Sequence, residues 1–330
     1  MLILGCSTAA LCTGFILDAL WGDPPSLPHL VRWMGSLITR LEKFLRKILP
    51  ATAKGERLGG VFLVLGITVF WAGLPFAVLF LSYYFSPLLG YITESLLCYQ
   101  LLAAKSLYTE GLKVYSNLKD NNVEAARKQV AMIVGRDTAL LDKDGINRAA
   151  IETIAENASD GVAAPLFFIM LGGAALGCAY KAVNTMDSMV GYQNNKYLHF
   201  GFAAAKTDDI LNFIPSRLCS LIMIAGACLL RLDGKNAYNI WRRDRRKHAS
   251  PNSAQTESVC AGALGIRLAG PAAYGGVICR KPYIGDDARP VRSEDIIKAN
   301  RLMYMAAVLM LILALLFRAV LWGVIFYGKI

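Results

Sequence analysis

The chain has 330 residues, of which 55% are hydrophobic and 18% charged, and its mean hydropathy is +0.43. This composition excludes an ordinary water-soluble domain and indicates a protein that folds in a bilayer. The net charge of +11 does not indicate a nucleic-acid partner, because the basic residues gather in particular polar segments, as in cytoplasmic loops of membrane proteins. We therefore predict a polytopic integral membrane protein whose partner is the lipid bilayer.

A spanning helix needs about 20 predominantly apolar residues, so we searched for stretches of that length without charge. Three strong candidates lie at 58–93, 161–180 and 302–328, the last interrupted only by Arg318. Two weaker ones lie at 2–17 and at 210–230, which contains Arg217. The first strong stretch is too long for one crossing and contains Pro75 and Pro87, which predicts a helical hairpin. No strand alternation of useful length is present, so we predict an all-α fold with about 4–6 membrane helices.

The basic segments divide the chain, and we expect them on the cytoplasmic side of the cell (inner) membrane. We predict a single membrane-embedded domain, in which apolar periodicity at 123–134 indicates amphipathic cytoplasmic helices. Its segments are 1–104 (N-terminal membrane helices), 105–160 (cytoplasmic helices), 161–232 (motif-bearing membrane helices), 233–301 (cytoplasmic segment) and 302–330 (C-terminal membrane helix). Residues 250–253 predict a turn followed by a helix start.

Three acidic residues follow one another at helical spacing before the second strong apolar stretch. Glu152, Glu156 and Asp160 stand at i, i+4 and i+8, which places them on one face of an α-helix. Like charges at this spacing destabilise a helix unless a cation or basic partner meets them. A solvated acidic face is the alternative interpretation.

A second polar group flanks the apolar stretches at 161–180 and 210–230. Asp and Asn oxygens suit magnesium, which usually bridges a few carboxylates to substrate phosphates, and nearby basic residues would neutralise phosphoryl oxygens. The alternative is helix capping with internal salt bridges. Two full crossings would place 181–209 outside the cell, so we favour broken or re-entrant helices at Gly172-Gly173 and near Pro215 around a polar cavity.

Several long polar motifs occur in order along the chain. They are Gly22-Asp23-Pro24 with His29, Gly135-Arg136-Asp137, 150–157, 160–161, 181–189, 208–217, 250–252 and 261–265. Taken together they resemble the adenosylcobinamide-phosphate synthase family, the membrane-bound amide synthases of late cobalamin biosynthesis, over nearly the whole chain. In that family the opening motif usually continues His-Pro, whereas Leu30 follows His29 here, so we leave His29 out of the predicted site.

The resemblance implies ATP-dependent amide-bond formation between adenosylcobyric acid and aminopropanol phosphate, or a related amino alcohol, with Mg2+ as cofactor. The carboxylate would be activated as an acyl phosphate before the amine attacks. We predict that the metal ligands are among Glu156, Asp160, Asp187 and Asp208, and that Asp209 or Glu152 removes the amine proton. The predicted substrate- and phosphate-binding residues are Asp23, Asn157, Lys181, Asn184, Ser188, Lys206, Asn212, Arg217 and Asn252.

Two other functions share these sequence features. A magnesium-dependent membrane prenyl- or alcohol-phosphate transferase would also place two Asp/Asn-rich motifs beside a helical cavity, but would consume no ATP. A transporter for a corrinoid or an anion would explain the broken helices and the intramembrane charges. For the ligase, an association with other late cobalamin-pathway membrane enzymes is a further possible partnership.

Overall fold

The structure is a computed structural model in which residues 2–24, 26–192 and 194–327 are described. The chain is an all-α polytopic membrane protein, and the only departures from helix and loop in this described part are four strands of two or three residues. Packing divides the chain into two compact units. The first contains residues 1–103, 164–212 and 311–330, and the second contains residues 104–163 and 213–310. The predicted single domain stays a prediction.

Four of the described helices are long and apolar enough to cross a membrane, and a pair of shorter helices that meet at Asn212 would give a fifth. The four are Ile3–Trp21, Ala53–Phe85, Lys143–Val190 and Glu294–Val324, and the pair is Phe202–Leu211 with Phe213–Leu229. This number agrees with the predicted 4–6. Of the two helices of the hairpin predicted at 58–93, only the first, Ala53–Phe85, is among these candidate spans. The second, Pro87–Leu101, has only 15 residues.

The first unit is built from long apolar helices and one amphipathic helix. Its elements are α1 (Leu2–Trp21), α2 (Leu30–Ile48), α3 (Ala53–Phe85), α4 (Pro87–Leu101), α8 (Ala164–Val190), α9 (Phe202–Leu211) and the end of α13 (Glu294–Tyr327). Helices α1 and α4 approach closely at Gly14, where an added Cβ would lie 2.5 Å from the Cβ of Cys98. A side chain at this position would therefore separate the two helices.

Helix α8 is broken at the two adjacent glycines, as predicted. Gly173 has φ 68° and ψ −170°, which only glycine adopts readily, and Gly172 is also non-helical. The groups released by the break find partners within the first unit. Arg318 donates to the carbonyls of Ile169 and Met170, and the Ala174 N–H donates to Glu94.

The second unit combines helices with two small antiparallel strand pairs. Its elements are α5 (Ala104–Lys119), α6 (Val123–Ala131), α7 (Lys143–Asn157), a π-helix (Ala158–Ala163), α10 (Phe213–Leu229), α11 (Gly234–Asp244), α12 (Ser253–Leu264), β1 (Leu268–Ala269), β2 (Ala272–Tyr274), β3 (Val277–Cys279), β4 (Tyr283–Ile284) and the start of α13. Strand β1 pairs with β4, and β2 pairs with β3. The amphipathic helix and the helix start predicted at 250–253 are confirmed as α6 and α12.

The prediction that Glu152, Glu156 and Asp160 share one helical face is wrong for Asp160. Glu152 and Glu156 lie on α7, which ends at Asn157, and Asp160 lies in the following π-helix. A π-helix has more residues in each turn than an α-helix, so the spacing of eight residues no longer returns to the same face.

Candidate functional site

A polar cavity of about 270 Å³ lies in the second unit, between α7, α12 and the strand segment. We call it the glutamate cavity. Its polar lining side chains are Arg136, Glu152, Thr153, Glu156, Asn157, His248, Glu257, Tyr274 and Lys281. Three of the predicted site residues, Glu152, Glu156 and Asn157, thus share one cavity.

Glu152 is held on both of its oxygens. The Arg136 guanidinium donates to Oε2, and the Ala269 N–H donates to Oε1 at 2.7 Å. Burial alone would lower the pKa of Arg136, but the Glu152 carboxylate raises it above its ordinary value. Glu152 is therefore fixed in orientation.

The Gly-Arg-Asp motif builds one wall of this cavity. Asp137 accepts hydrogen bonds from the N–H groups of Gly275 and Gly276, at 3.1 and 2.7 Å, and so holds the turn between β2 and β3. Its neighbour Arg136 pairs with Glu152. The motif thus ties the strand segment to α7 at the cavity.

Glu156 and Glu257 approach the cavity from different helices. Ser253 Oγ donates to Glu156 Oε1 at 2.8 Å, whereas no donor in the described residues reaches the Glu257 carboxyl group. Glu257 is only 5% exposed. Burial, and then the charges of Glu156 and Glu152, raise the pKa of Glu257 well above its ordinary value. An almost completely buried acid thus faces the cavity without a hydrogen-bond donor.

His248 stands at the boundary of this cavity. The Ser250 N–H donates to its Nδ1 at 3.1 Å, which leaves the proton of the neutral ring on Nε2. Burial lowers the pKa of His248, with Lys281 adding to the effect and Glu156 opposing it. The neutral ring can therefore donate a hydrogen bond from Nε2.

A second pocket, of about 420 Å³, contains three arginines and shares His248 with the glutamate cavity. We call it the arginine pocket. It is lined by Phe213, Arg217, Arg245, Arg246, His248, Ala249, Pro251 and Gln255, with no carboxylate among them. Within the described ranges no Asp or Glu forms an ion pair with these three arginines, so the pocket suits an anion.

Two of the arginines are oriented by aromatic rings. The guanidinium of Arg217 lies 3.5 Å from the Phe213 ring centroid, and that of Arg245 lies 4.4 Å from the Trp241 ring centroid. Arg217 Nη1 also donates to Asn252 Oδ1 at 3.1 Å. The structure therefore brings together Arg217 and Asn252, two of the predicted phosphate-binding residues.

The first unit holds the other predicted site residues, and several of them form a buried network. Asn184 Nδ2 and Asn212 Nδ2 donate to Asp208 at 3.3 and 2.9 Å, and Tyr180 Oη lies 2.8 Å from Asn212 Oδ1. Asp208 is 7% exposed and Asn212 is fully buried.

The remaining predicted residues of the first unit lie on or beside these helices. Lys206 forms an ion pair with Asp209 at 2.9 Å, and Ser188 Oγ donates to the Asn184 carbonyl at 2.9 Å. Asp23 Oδ1 lies 3.0 Å from Nε2 of His29, the residue that caps the N-terminus of α2. Lys181 and Asp187 lie on the second half of α8. Their predicted roles stay predictions.

Within the described ranges no group of three or more His, Cys, Asp or Glu side chains is arranged so that it could hold a metal ion, although three glutamates and His248 line the glutamate cavity. Magnesium usually takes only one or two protein carboxylates and completes its shell with substrate phosphates and water. Glu156, with a carboxylate in the glutamate cavity, fits such a shared site. The predicted ligand set of Glu156, Asp160, Asp187 and Asp208 stays a prediction.

The sequence interpretation did not identify several side chains of these two pockets. Arg136 was quoted only as part of a motif, and Glu257 and Lys281 were not assigned. The run 242–247, which contains Arg245 and Arg246, was interpreted as a cytoplasmic loop facing the lipid head groups, with phosphate binding as the alternative. One signal could have found Glu257, because it is the only charged residue in the small-residue helix α12. The run 242–247 did not by itself identify the arginine pocket, since a run of basic residues is also typical of a cytoplasmic loop.

Comparison with known proteins identifies relatives over almost the full chain. The family model described as CobD/Cbib protein matches residues 11–303. Cobalamin biosynthesis protein CobD of Clostridium perfringens is 44% identical over 93% of this chain and 97% of its own length. CobD of Streptococcus sanguinis is 47% identical, covering 93% and 96%. Cobalamin biosynthesis protein CbiB of Salmonella typhimurium is 43% identical, covering 96% and 98%. No solved structure matches the chain.

Proposed function

This chain belongs to the CobD/CbiB family of cobalamin biosynthesis proteins, and we propose that it is the ligase that makes adenosylcobinamide phosphate. It would join adenosylcobyric acid to aminopropanol phosphate, or a related amino alcohol phosphate, with ATP as the energy source. The family assignment supports a role in cobalamin biosynthesis. The ligation itself is a proposal that rests on the chemistry of the two pockets.

The supporting observation is that a pocket with three glutamates and a pocket with three arginines and no carboxylate share one lining residue, His248. An amino alcohol phosphate is a short molecule with a phosphate at one end and an ammonium group at the other. The arginine pocket suits the phosphate, and the glutamate cavity suits the ammonium group. The neutral His248 ring can donate from Nε2 to an oxygen between them.

Glu257 is our candidate for the group that accepts the ammonium proton. Both oxygens of Glu152 already accept hydrogen bonds, and Asp209 is paired with Lys206, so these two predicted bases are less available. A buried carboxyl group with a raised pKa is a stronger base than an exposed one. The positive ammonium group favours the ionised form of Glu257, which then takes the proton.

The free amine nitrogen attacks the carbonyl carbon of the activated acid. Activation transfers the γ-phosphoryl group of ATP to the corrinoid carboxylate, which leaves ADP and an acyl phosphate; amine attack then forms the amide and releases phosphate. Magnesium, when bound, neutralises phosphoryl oxygens. Glu156 is the residue of the glutamate cavity that we expect to contact it.

We place the reaction at the cytoplasmic side of the cell membrane, where ATP is found. The gathering of basic residues in the polar segments supports this orientation. Partner enzymes of the late pathway in the same membrane would fit a product that passes to a further membrane step.

Purified protein in detergent tests the proposal directly. With ATP, magnesium, adenosylcobyric acid and aminopropanol phosphate we expect a product of the mass of adenosylcobinamide phosphate and one ADP for each amide formed. Product formed without ATP, from a prenyl or nucleotide-alcohol donor, would support the transferase instead. Product formed in detergent, without a sealed membrane, would exclude the transporter.

A further inference from the structure

Helix α2 of the first unit has two chemically different faces. Its inner face, with Leu30, Met34, Ile38 and Leu45, is buried. Its outer face carries three large apolar side chains, Trp33, Phe44 and Ile48, each more than half exposed. The same face carries the exposed cations Arg40, Lys43 and Lys47. We call these six exposed residues the α2 basic face.

The cations of this face are not neutralised by the protein. Arg46, on the flank of the helix, forms ion pairs with Glu42 and Glu56 at 2.9 and 3.0 Å. By contrast, no carboxylate in residues 2–24, 26–192 and 194–327 forms an ion pair with Arg40, Lys43 or Lys47. The exposed face therefore keeps a charge of about +3, which an anionic partner can neutralise.

The neighbouring helix indicates what that partner is. Helix α3, one of the candidate spans, begins close after α2 and presents an exposed apolar stripe from Leu58 through Phe62 and Leu65 to Val69. In a bilayer this stripe meets lipid hydrocarbon, so the residues just before it lie at the level of the head groups. The exposed cation Lys54 lies at that end of α3.

The mixture of side chains also favours lipid over a water-soluble polyanion. A nucleic acid or an acidic protein surface would neutralise the cations but would leave Phe44 and Ile48 against polar groups. At a membrane interface, lysine and arginine extend towards phosphates while aromatic and aliphatic side chains enter the boundary with the acyl chains. We propose that the α2 basic face binds the head groups of anionic phospholipids.

The test uses full-length protein in detergent micelles, with retained lipid measured by native mass spectrometry. Phosphatidylglycerol should bind more tightly than phosphatidylcholine, and the preference should disappear at high salt. The triple variant Arg40→Gln, Lys43→Gln, Lys47→Gln should bind phosphatidylglycerol at least about tenfold more weakly, because each basic residue near an anionic surface contributes to the attraction. Lys43→Arg with Lys47→Arg should retain the parent affinity.

The matched control removes three exposed lysines of the second unit, in the variant Lys119→Gln, Lys128→Gln, Lys235→Gln. It should bind phosphatidylglycerol as the parent does. Equal affinity of the parent for the two lipids, or equal losses in the two triple variants, would overturn the proposal. Melting temperatures of all variants in detergent separate a loss of binding from a loss of folding, and the arginine variant tests the charge with the helix intact.

Discussion

Two sets of buried acidic side chains, one in each unit, differ in how many hydrogen-bond donors the protein itself supplies to them. In the first unit, Asp208 accepts from Asn184 and Asn212, and Glu94 accepts from Ser7, Tyr83 and the Ala174 N–H. In the second unit, Glu257 is buried without a described hydrogen-bond donor, and three arginines surround one pocket without a carboxylate.

This difference indicates two roles for buried polar groups. Asp208 and Glu94 stabilise the fold, whereas Glu257 and the arginines of the arginine pocket are the groups that we expect to bind a ligand. A buried polar group with its partners in place stabilises one geometry, whereas an unsatisfied buried group carries a desolvation cost that a bound ligand can relieve. The chemistry of substrate binding is therefore expected at the glutamate cavity and the arginine pocket.

The largest effect is expected for Glu257→Gln. The amide has nearly the same shape but cannot accept the ammonium proton, so kcat should fall at least about 100-fold, as for loss of a general base. The measurement is amide product formed per unit time with saturating substrates. Glu124→Gln, at an exposed position on α6, should leave kcat unchanged. Wild-type kcat in the Glu257 variant would remove this residue from the proposed chemistry.

A substantial loss of stability is expected for Asp208→Ala in the first unit. The change leaves the amide donors of Asn184 and Asn212 without this acceptor, which should cost roughly 2 kcal/mol or more and lower the melting temperature in detergent by several degrees. A raised magnesium requirement with an unchanged melting temperature would instead support Asp208 as a metal ligand. Full ligase activity in both Asp208→Ala and Asp187→Ala would contradict the cavity predicted from the sequence.

A smaller and more specific effect is expected in the arginine pocket. The double variant Arg245→Gln, Arg246→Gln removes two charges that we propose bind the phosphate, so the KM for aminopropanol phosphate should rise about tenfold or more while kcat changes little. Arg242→Gln, on the exposed side of the neighbouring α11, is the control. An equal rise in KM for the unphosphorylated amino alcohol would show that the pocket does not bind the phosphate.

Most of the membrane helices could be predicted from the sequence because long, nearly uncharged apolar stretches are typical of them. The break in α8 could be predicted because two adjacent glycines tolerate a backbone that other residues do not. The π-helix after Asn157 could not, since a local change of helical period leaves no clear pattern, and it moves Asp160 away from the predicted face.

Only some of the side chains that line the glutamate cavity could be predicted from the sequence. Glu152 and Glu156 are neighbours on α7 and show their spacing in the sequence, but Glu257 is distant in the chain and joins them only through the packing of α12. The segment that contains the short strands contributes Tyr274, at the end of β2, and Lys281, between β3 and β4, to the cavity. These strands are two or three residues long, too short to produce an alternating pattern.

The smallest expected effect is a pH dependence of stability that belongs to Glu257. Burial raises its pKa in the folded protein, so the folded state binds this proton more tightly than the unfolded chain, where the pKa is about 4.3. The resulting stabilisation is complete below that value and is lost as the pH rises through the pKa of the folded protein. Glu257→Gln has no such proton to lose, so its melting temperature relative to wild type should increase from about pH 4 towards neutral pH. If the melting temperatures of the two proteins instead changed in parallel over this range, Glu257 would not be held as an uncharged acid, and its contrast with the hydrogen-bonded Asp208 and Glu94 would be weaker.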